Sequence, residues 1–298
     1  MMMKLKSEVG ITFDEMTKMF MFEGIDAGKM KKVTSRHFPT LLGENKWNSV
    51  ASAILDRCGL LEREEIDPYY MVRGAIGEIL VQEYVERQYK SAKIDGIEIK
   101  RFTPKDVGWD MFKKNNRFGG VVDLAITAPP ERRAVIEVKS KSMKDKAWIA
   151  GKGNYPTEEV MQGLFLGVMS KVKKTIMAYI FFSPDTEASI RAYCEKNGYD
   201  ESVATDYLKA HNLDPFDTQK IVIHMKSFSL EDEKTSTEIE TKMEKAFETL
   251  QRSVENKGIW KDNFSEEEQA YLMDIIKRTG GKEGEKIAKQ FSDDDLPF

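Results

Sequence analysis

Residues 119–142 read GGVVDLAITAPPERRAVIEVKSKS. Two apolar, β-branched runs, Gly120 to Thr127 and Arg133 to Lys139, flank Ala128-Pro129-Pro130-Glu131, which has the composition of a turn. The pattern predicts a pair of strands. In the second, Glu137 and Lys139 are two apart and share a face, while Val138 turns to the core. Pairing the strands brings Asp123 beside Glu137. Two carboxylates and an ammonium then project from one surface. Carboxylates buried together need a compensating cation. Mg²⁺, which takes a few carboxylate oxygens plus water and phosphate, suits that set, and Mn²⁺ substitutes for it. Phosphodiester hydrolysis uses such an arrangement: the metal stabilises phosphate charge and lowers the pKa of a water, and Lys139 orients that water or stabilises developing charge. A bare E-x-K is most often a surface ion pair on a charge-alternating strand. Here Ala134-Val135-Ile136 precede it, so the charges interrupt a strand of buried type.

Residues 47–60 and 71–90 carry apolar residues at helical spacing. Residues 94–102 alternate as a strand. Residues 157–169 predict a helix beginning near Pro156, with Thr157 as a cap. Thr175 to Phe182 is a continuous apolar run, read as a buried strand, and Ile221 to Met225 is another. Thr186 to His211, Leu230 to Lys257 and Ser265 to Arg278 read as helices. This order predicts an α/β fold, a short mixed central sheet flanked by helices. Two segments are expected: 1–257 as one domain, and 258–298 as a terminal helix with an acidic tail whose last dozen residues are disordered.

Other residues join the strand pair as candidates. Glu78 ends RGAIGE, whose Gly74 and Gly77 suggest close packing against another backbone. Gln162 lies on the helix after the E-x-K strand, where its amide can donate to a phosphate or a metal-bound water. Ser35 and Arg36 can bind phosphate through hydroxyl and guanidinium, although Ser35 reads equally as a turn or cap residue. Arg73 and Lys141 complete the phosphate-binding set. Glu78 alone would pass for an ordinary helix-surface carboxylate.

Composition limits the alternatives. The 298 residues are 41% hydrophobic and 32% charged, an ordinary globular balance. The net charge is −4, but Glu231 to Phe298 holds 18 acids and 11 bases, which leaves the preceding 230 residues at +3. Basic clusters lie at Lys29 to Lys32, Lys113 to Arg117, Lys139 to Lys146 and Lys171 to Lys174, each either a solvated face or part of a phosphate track. His37, His211 and His224 show no zinc spacing. There is no Walker loop, Rossmann fingerprint or nucleophile elbow. No apolar run is long enough to span a membrane, Met1 to Lys6 begin no signal core, and Cys58 and Cys194 are far apart; a cytoplasmic setting, the host's if phage-encoded, is expected.

In order and spacing these motifs resemble the PD-(D/E)XK nucleases, specifically the lambda-exonuclease-like, YqaJ-type viral recombinase exonucleases. The resemblance covers Val33 to Phe182. VTSRHFPTLLG (33–43) with Asn45-Lys46-Trp47 is similar to the family's opening pattern, RGAIGE to its acid helix, GGVVDLAI and IEVK to its D and E-x-K strands, and Pro156 to Gln162 to its glutamine helix. Val33-Thr34 stand where the family has Gly-Gly, and Val160 and Leu166 lie where it carries a tyrosine. The resemblance implies catalytic Glu78, Asp123, Glu137, Lys139 and Gln162, with metal held by Glu78, Asp123, Glu137 and Val138. It also implies DNA as substrate, attack on duplex ends, a trimeric homo-oligomer and a single-strand annealing protein as partner. A structure-specific endonuclease is the alternative enzyme. Iron–sulfur relatives need four cysteines, and this chain has two.

The terminus carries a second resemblance. Asp293, Asp294, Asp295, Leu296, Pro297 and Phe298 are similar to the tip of bacterial single-stranded-DNA-binding proteins. That implies docking on host proteins that read such tips, with the chain as an interaction protein as well as, or instead of, an enzyme. An acidic solubilising tail is the plain alternative, but it does not explain Leu296-Pro297-Phe298.

Overall fold

The computed structural model of the chain describes residues 3–26, 31–62 and 66–280. In chain order the elements are β1 (Ile11–Asp14), β2 (Met19–Phe22), β3 (Val33–Thr34), α1 (Phe38–Leu41), α2 (Val50–Cys58), α3 (Tyr69–Ser91), β4 (Glu98–Arg101), α4 (Pro104–Val107), β5 (Phe118–Gly119), β6 (Leu124–Ala128), β7 (Ala134–Ser142), α5 (Thr157–Met169), β8 (Lys174–Phe182), α6 (Pro184–Asn197), α7 (Glu201–His211), β9 (Ile221–Ser229), α8 (Glu233–Asn256), β10 (Gly258–Trp260) and α9 (Glu266–Thr279). They form two compact units. One combines the described residues up to 62 with 114–118 and 242–280; the other holds those of 66–113 and 119–241. The expected division at 257/258 falls inside the first unit.

The larger unit is built on a five-stranded sheet of order β4-β6-β7-β8-β9. Only β7 and β8 pair in parallel; the other neighbours are antiparallel. The antiparallel β6–β7 pair needs only a short turn, whereas the parallel β7–β8 pair needs a crossover, which contains α5. β8 is an interior strand and buried along almost its whole length, which explains its unbroken apolar run. Its Ile176, Ala178, Ile180 and Phe182 pack with Ala134, Ile136 and Val138 of β7 and with α3. Its Met177, Tyr179 and Phe181 belong to a second cluster. The sheet thus presents two faces. Gly77 brings α3 down on the first, where an added Cβ would lie 2.9 Å from Ile180 Cγ2; Gly163 brings α5 onto the second, where a Cβ would lie 2.6 Å from Met177 Sδ. This is the mixed α/β architecture expected, a mixed central sheet flanked by helices.

The smaller unit carries a three-stranded antiparallel sheet of order β1-β2-β10. Sequence reading did not anticipate it, because each strand has four residues or fewer and offers at most two or three inward positions. The buried Met243, Ala246, Phe247, Leu250 and Val254 of α8 recur at helical spacing along one stripe. A capping box between Ser265 and Glu268 starts α9.

Other expectations need correction. The strand expected over 94–102 is confined to β4, and the one expected from Gly120 begins only at Leu124, so Asp123 stands just before it. Thr157 is not the cap of α5; Pro156 holds that position without a side-chain bond. The helix expected over 186–211 breaks after Asn197 at Gly198, whose φ of 93° suits glycine, and restarts with Asp200 capping α7. β9 runs on to Ser229 because it follows the full length of β8. The tail residues Asp293 to Phe298, and the disorder expected there, lie outside the described residues. No helix among the described residues is long and apolar enough to cross a membrane.

Candidate active site

The site grows from the β6–β7 pair. The register sets Leu124 opposite Ile136, which leaves Asp123 one step beyond the ladder beside Glu137. The Val138 amide donates to Asp123 Oδ2 at 2.8 Å, fixing that carboxylate across the pair. Glu137 is 7% exposed. Lys139 Nζ donates to Glu137 Oε1 at 2.9 Å and to Gln162 Oε1 at 2.9 Å. Gln162 reaches the lysine because α5 lies close on this face, Gly163 admitting the contact with Met177, Thr175 and Glu137. Glu137 Oε2 is buried with no hydrogen-bond partner.

The electrostatics are unbalanced. Burial raises the Asp123 carboxyl well above its ordinary range, and Glu137 and Glu78 raise it further, against the pull of Lys139 and the Val138 amide. Burial pushes Glu78 up to about 7, while Arg101, at 3.3 Å, pulls it down. Burial works against the charge on Lys139, but Glu137 and Asp123 outweigh it and raise its pKa, so the ammonium persists. Three carboxyl groups therefore share a region with one ammonium and one guanidinium, and Arg101 also faces Glu201 at 3.3 Å. Ordered proteins rarely leave a carboxylate oxygen such as Glu137 Oε2 buried and unmatched.

A divalent cation would resolve the imbalance. Among the described residues no three His, Cys, Asp or Glu side chains form a ready ligand cluster. The donors still fit a hard ion that keeps most of its waters and takes one or two carboxylates: Asp123, the unmatched oxygen of Glu137 and the Val138 carbonyl are hard oxygen donors from adjacent positions.

The remaining candidates divide. Arg73 is ion-paired with Glu187 at 2.7 Å, donates to the Ser140 carbonyl at 3.0 Å and lies over the Tyr69 and Tyr70 rings. Lys141 is paired with Glu159 at 2.5 Å. Both are engaged within the protein. Ser35 and Arg36 follow β3 in the smaller unit, in a turn before α1; Arg36 is exposed and Ser35 half-buried. Sequence reading missed Arg101, and it gave the histidines no role. His37 in fact bridges Thr34 Oγ1 at 2.7 Å and Asp56 Oδ2 at 2.6 Å, and His224 meets the Tyr155 hydroxyl at 2.8 Å. The only signal for Arg101 was its place on the strand paired with β6.

No family model matches the sequence, and no curated protein does. Among solved structures the chain is similar to an alkaline exonuclease, LHK-Exo, from Laribacter hongkongensis, at 14% identity and a TM-score of 0.43, over 78% of this chain and 95% of that one. It is also similar to LHK-Exo in complex with dAMP, at 14% identity and a TM-score of 0.42, over 77% of this chain and 93% of that one.

Proposed function

We propose that this chain is a PD-(D/E)XK nuclease, a Mg²⁺-dependent deoxyribonuclease. The observation that carries the reading is the placement of Asp123, Glu137 and Lys139: two carboxylates set side by side by the strand pair, with a charged lysine held between Glu137 and Gln162. Asp123, Glu137 and the Val138 carbonyl would hold the metal, with Glu78 as a further acid beside them. The bound ion supplies Lewis-acid stabilisation of phosphate charge and lowers the pKa of a water. Lys139, kept protonated by its neighbours, orients the attacking water or stabilises charge on the phosphate oxygens. Gln162 holds the Lys139 ammonium in place and leaves its own amide N–H groups for water or phosphate. The Val138 amide keeps Asp123 from turning away. Hydrolysis joins the water oxygen to phosphorus and expels the sugar oxygen, which takes up a proton.

The sequence resemblance favours duplex ends over internal sites, and a place in phage-type recombination beside a single-strand annealing protein, with a trimer as the assembly. The test is incubation with end-labelled linear duplex and with covalently closed circles, in Mg²⁺ and in chelator. Linear duplex should be degraded, closed circles spared and all cleavage lost in chelator. Rapid linearisation of closed circles would favour the endonuclease instead. Cleavage unaffected by chelator would remove the metal from the reading.

A further inference from the structure

The chain between β7 and α5 joins the strand of Glu137 and Lys139 to the helix of Gln162. Within it Ala147–Gly151 forms a π-helical turn. Such turns are rare and recur at functional sites. Ile149, at its centre, is 2% exposed and packs with Met177, Tyr179 and Phe181 of β8. Met177 is the register partner of Glu137, and Tyr179 that of Lys139. Ile149 therefore anchors the turn on the sheet face that bears the candidate site.

Beside this anchor Trp148 is 51% exposed. Its ring has no aromatic neighbour or hydrogen bond among the described residues. Lys144, Lys146 and Lys152 are exposed and have no ion pair among the described residues, in contrast to Lys139 and Lys141. Asp145 is the one acid from Met143 to Lys152. An indole exposed on a turn that Ile149 anchors, with three lysines unpaired among the described residues in the same segment, combines two elements of single-strand recognition: a π-face for a base and cations for its phosphates. The charge favours a polyanion over an apolar protein surface.

We propose that Trp148 is a stacking platform for an unpaired base of the nucleic-acid strand, and that Lys144, Lys146 and Lys152 bind that strand's phosphates. This rests on the nuclease reading for its substrate class, but its test does not need cleavage. Binding of a fluorescein-labelled oligothymidylate by the full chain is followed by anisotropy in chelator, at several salt concentrations. Trp148→Ala should weaken binding about five- to a hundredfold, as loss of one stacked base does. Trp148→Phe should stay within about threefold of the parent, and Trp148→Leu should behave as the alanine variant does, because only the aromatic face stacks. Replacing the three lysines by alanine should lower the slope of log affinity against log salt by about 2, given about 0.7 per phosphate on a single strand. Thermal melting checks folding, and if the alanine variant fails to fold, the Phe-against-Leu comparison decides. Parent-like binding by the alanine and leucine variants would overturn the proposal, as would equal binding by Leu and Phe, which would point to an apolar protein-docking surface. A parent that binds the oligonucleotide but never cleaves DNA in Mg²⁺ would sink the nuclease reading alone.

Discussion

The amide of Val138 donates to Asp123 Oδ2 across the β6–β7 pair, so the residue between Glu137 and Lys139 fixes the carboxylate beside them. A backbone amide cannot swing away as a side-chain donor can. Asp123 is thereby kept next to Glu137 in spite of their repulsion, which is one of the causes of its raised pKa. A structural ion pair would have no use for this crowding; the proposed cation site would.

Asp123→Asn, Glu137→Gln and Lys139→Ala should each lower DNA cleavage by at least about a hundredfold, the scale for loss of one preorganised charge-stabilising group. The fold should survive, as read by circular dichroism. Asp123→Asn should melt no lower than the parent, since it removes a crowded carboxylate, keeps the shape and leaves the oxygen that accepts from Val138. Near-parent, metal-dependent cleavage by Glu137→Gln would defeat the assignment.

The same crowding predicts a pH dependence of stability. Glu78 titrates at about 7 when folded against an ordinary 4.5, and Asp123 is shifted the same way. Between the unfolded and folded values the native state binds more protons than the unfolded chain. Stability contributed by these groups is therefore fully present below the unfolded pKa and falls as pH rises through the folded one. In chelator the protein should melt lower at pH 8 than at pH 5.5 by a margin that the Glu78→Gln, Asp123→Asn double variant reduces. Mg²⁺ competes with protons for the same oxygens, so it should raise the melting temperature more at pH 8 than at pH 5.5. An identical Mg²⁺ effect at both pH values would contradict the metal site.

Gly74 and Gly77 separate a packing glycine from a tolerated one. A Cβ on Gly77 would lie 2.9 Å from Ile180 Cγ2, whereas one on Gly74 meets nothing within 4 Å. Gly77→Ala should destabilise by about 1–3 kcal/mol, as overpacking of a close contact does. Gly74→Ala should be neutral or stabilising by up to about 1 kcal/mol through helix propensity. Denaturant melts of the two variants check this, and equal effects would show that α3 does not seat on the sheet through Gly77.

The legible parts of this molecule are those where one residue type answers to one physical demand. The β8 run IMAYIFF read best as a strand buried on both faces, and its exposure pattern agrees. The Glu137–Lys139 contact followed from the period of two along β7. The seat of α3 was half-visible, because RGAIGE offers two glycines and only geometry tells which one packs. Arg73 and Lys141 were read as phosphate-binding residues, and sequence does not show that Glu187 and Glu159 come to lie against them. The pairing of Arg101 was hidden for the same reason: its partners Glu78 and Glu201 are distant along the chain.

Asp293, Asp294, Asp295, Leu296, Pro297 and Phe298 form an acidic stretch closed by an apolar one. Phe298 should anchor the chain on a protein that reads the tips of single-stranded-DNA-binding proteins. An aromatic anchor in a pocket dominates so small an interface. The carboxylates of Asp293, Asp294 and Asp295 should steer the encounter, so binding should weaken as salt rises. Deleting only Pro297 and Phe298 removes the anchor and keeps the charge, and should abolish most of the affinity. Cleavage of naked DNA should be unchanged, because Asp123, Glu137 and Lys139 lie elsewhere in the chain. A pull-down from Gram-positive cell extract, full-length protein against the two-residue truncation, reads the difference. Proteins captured by the full chain alone would carry the docking reading. Identical captures from both would reduce the tail to a solubilising acid cluster.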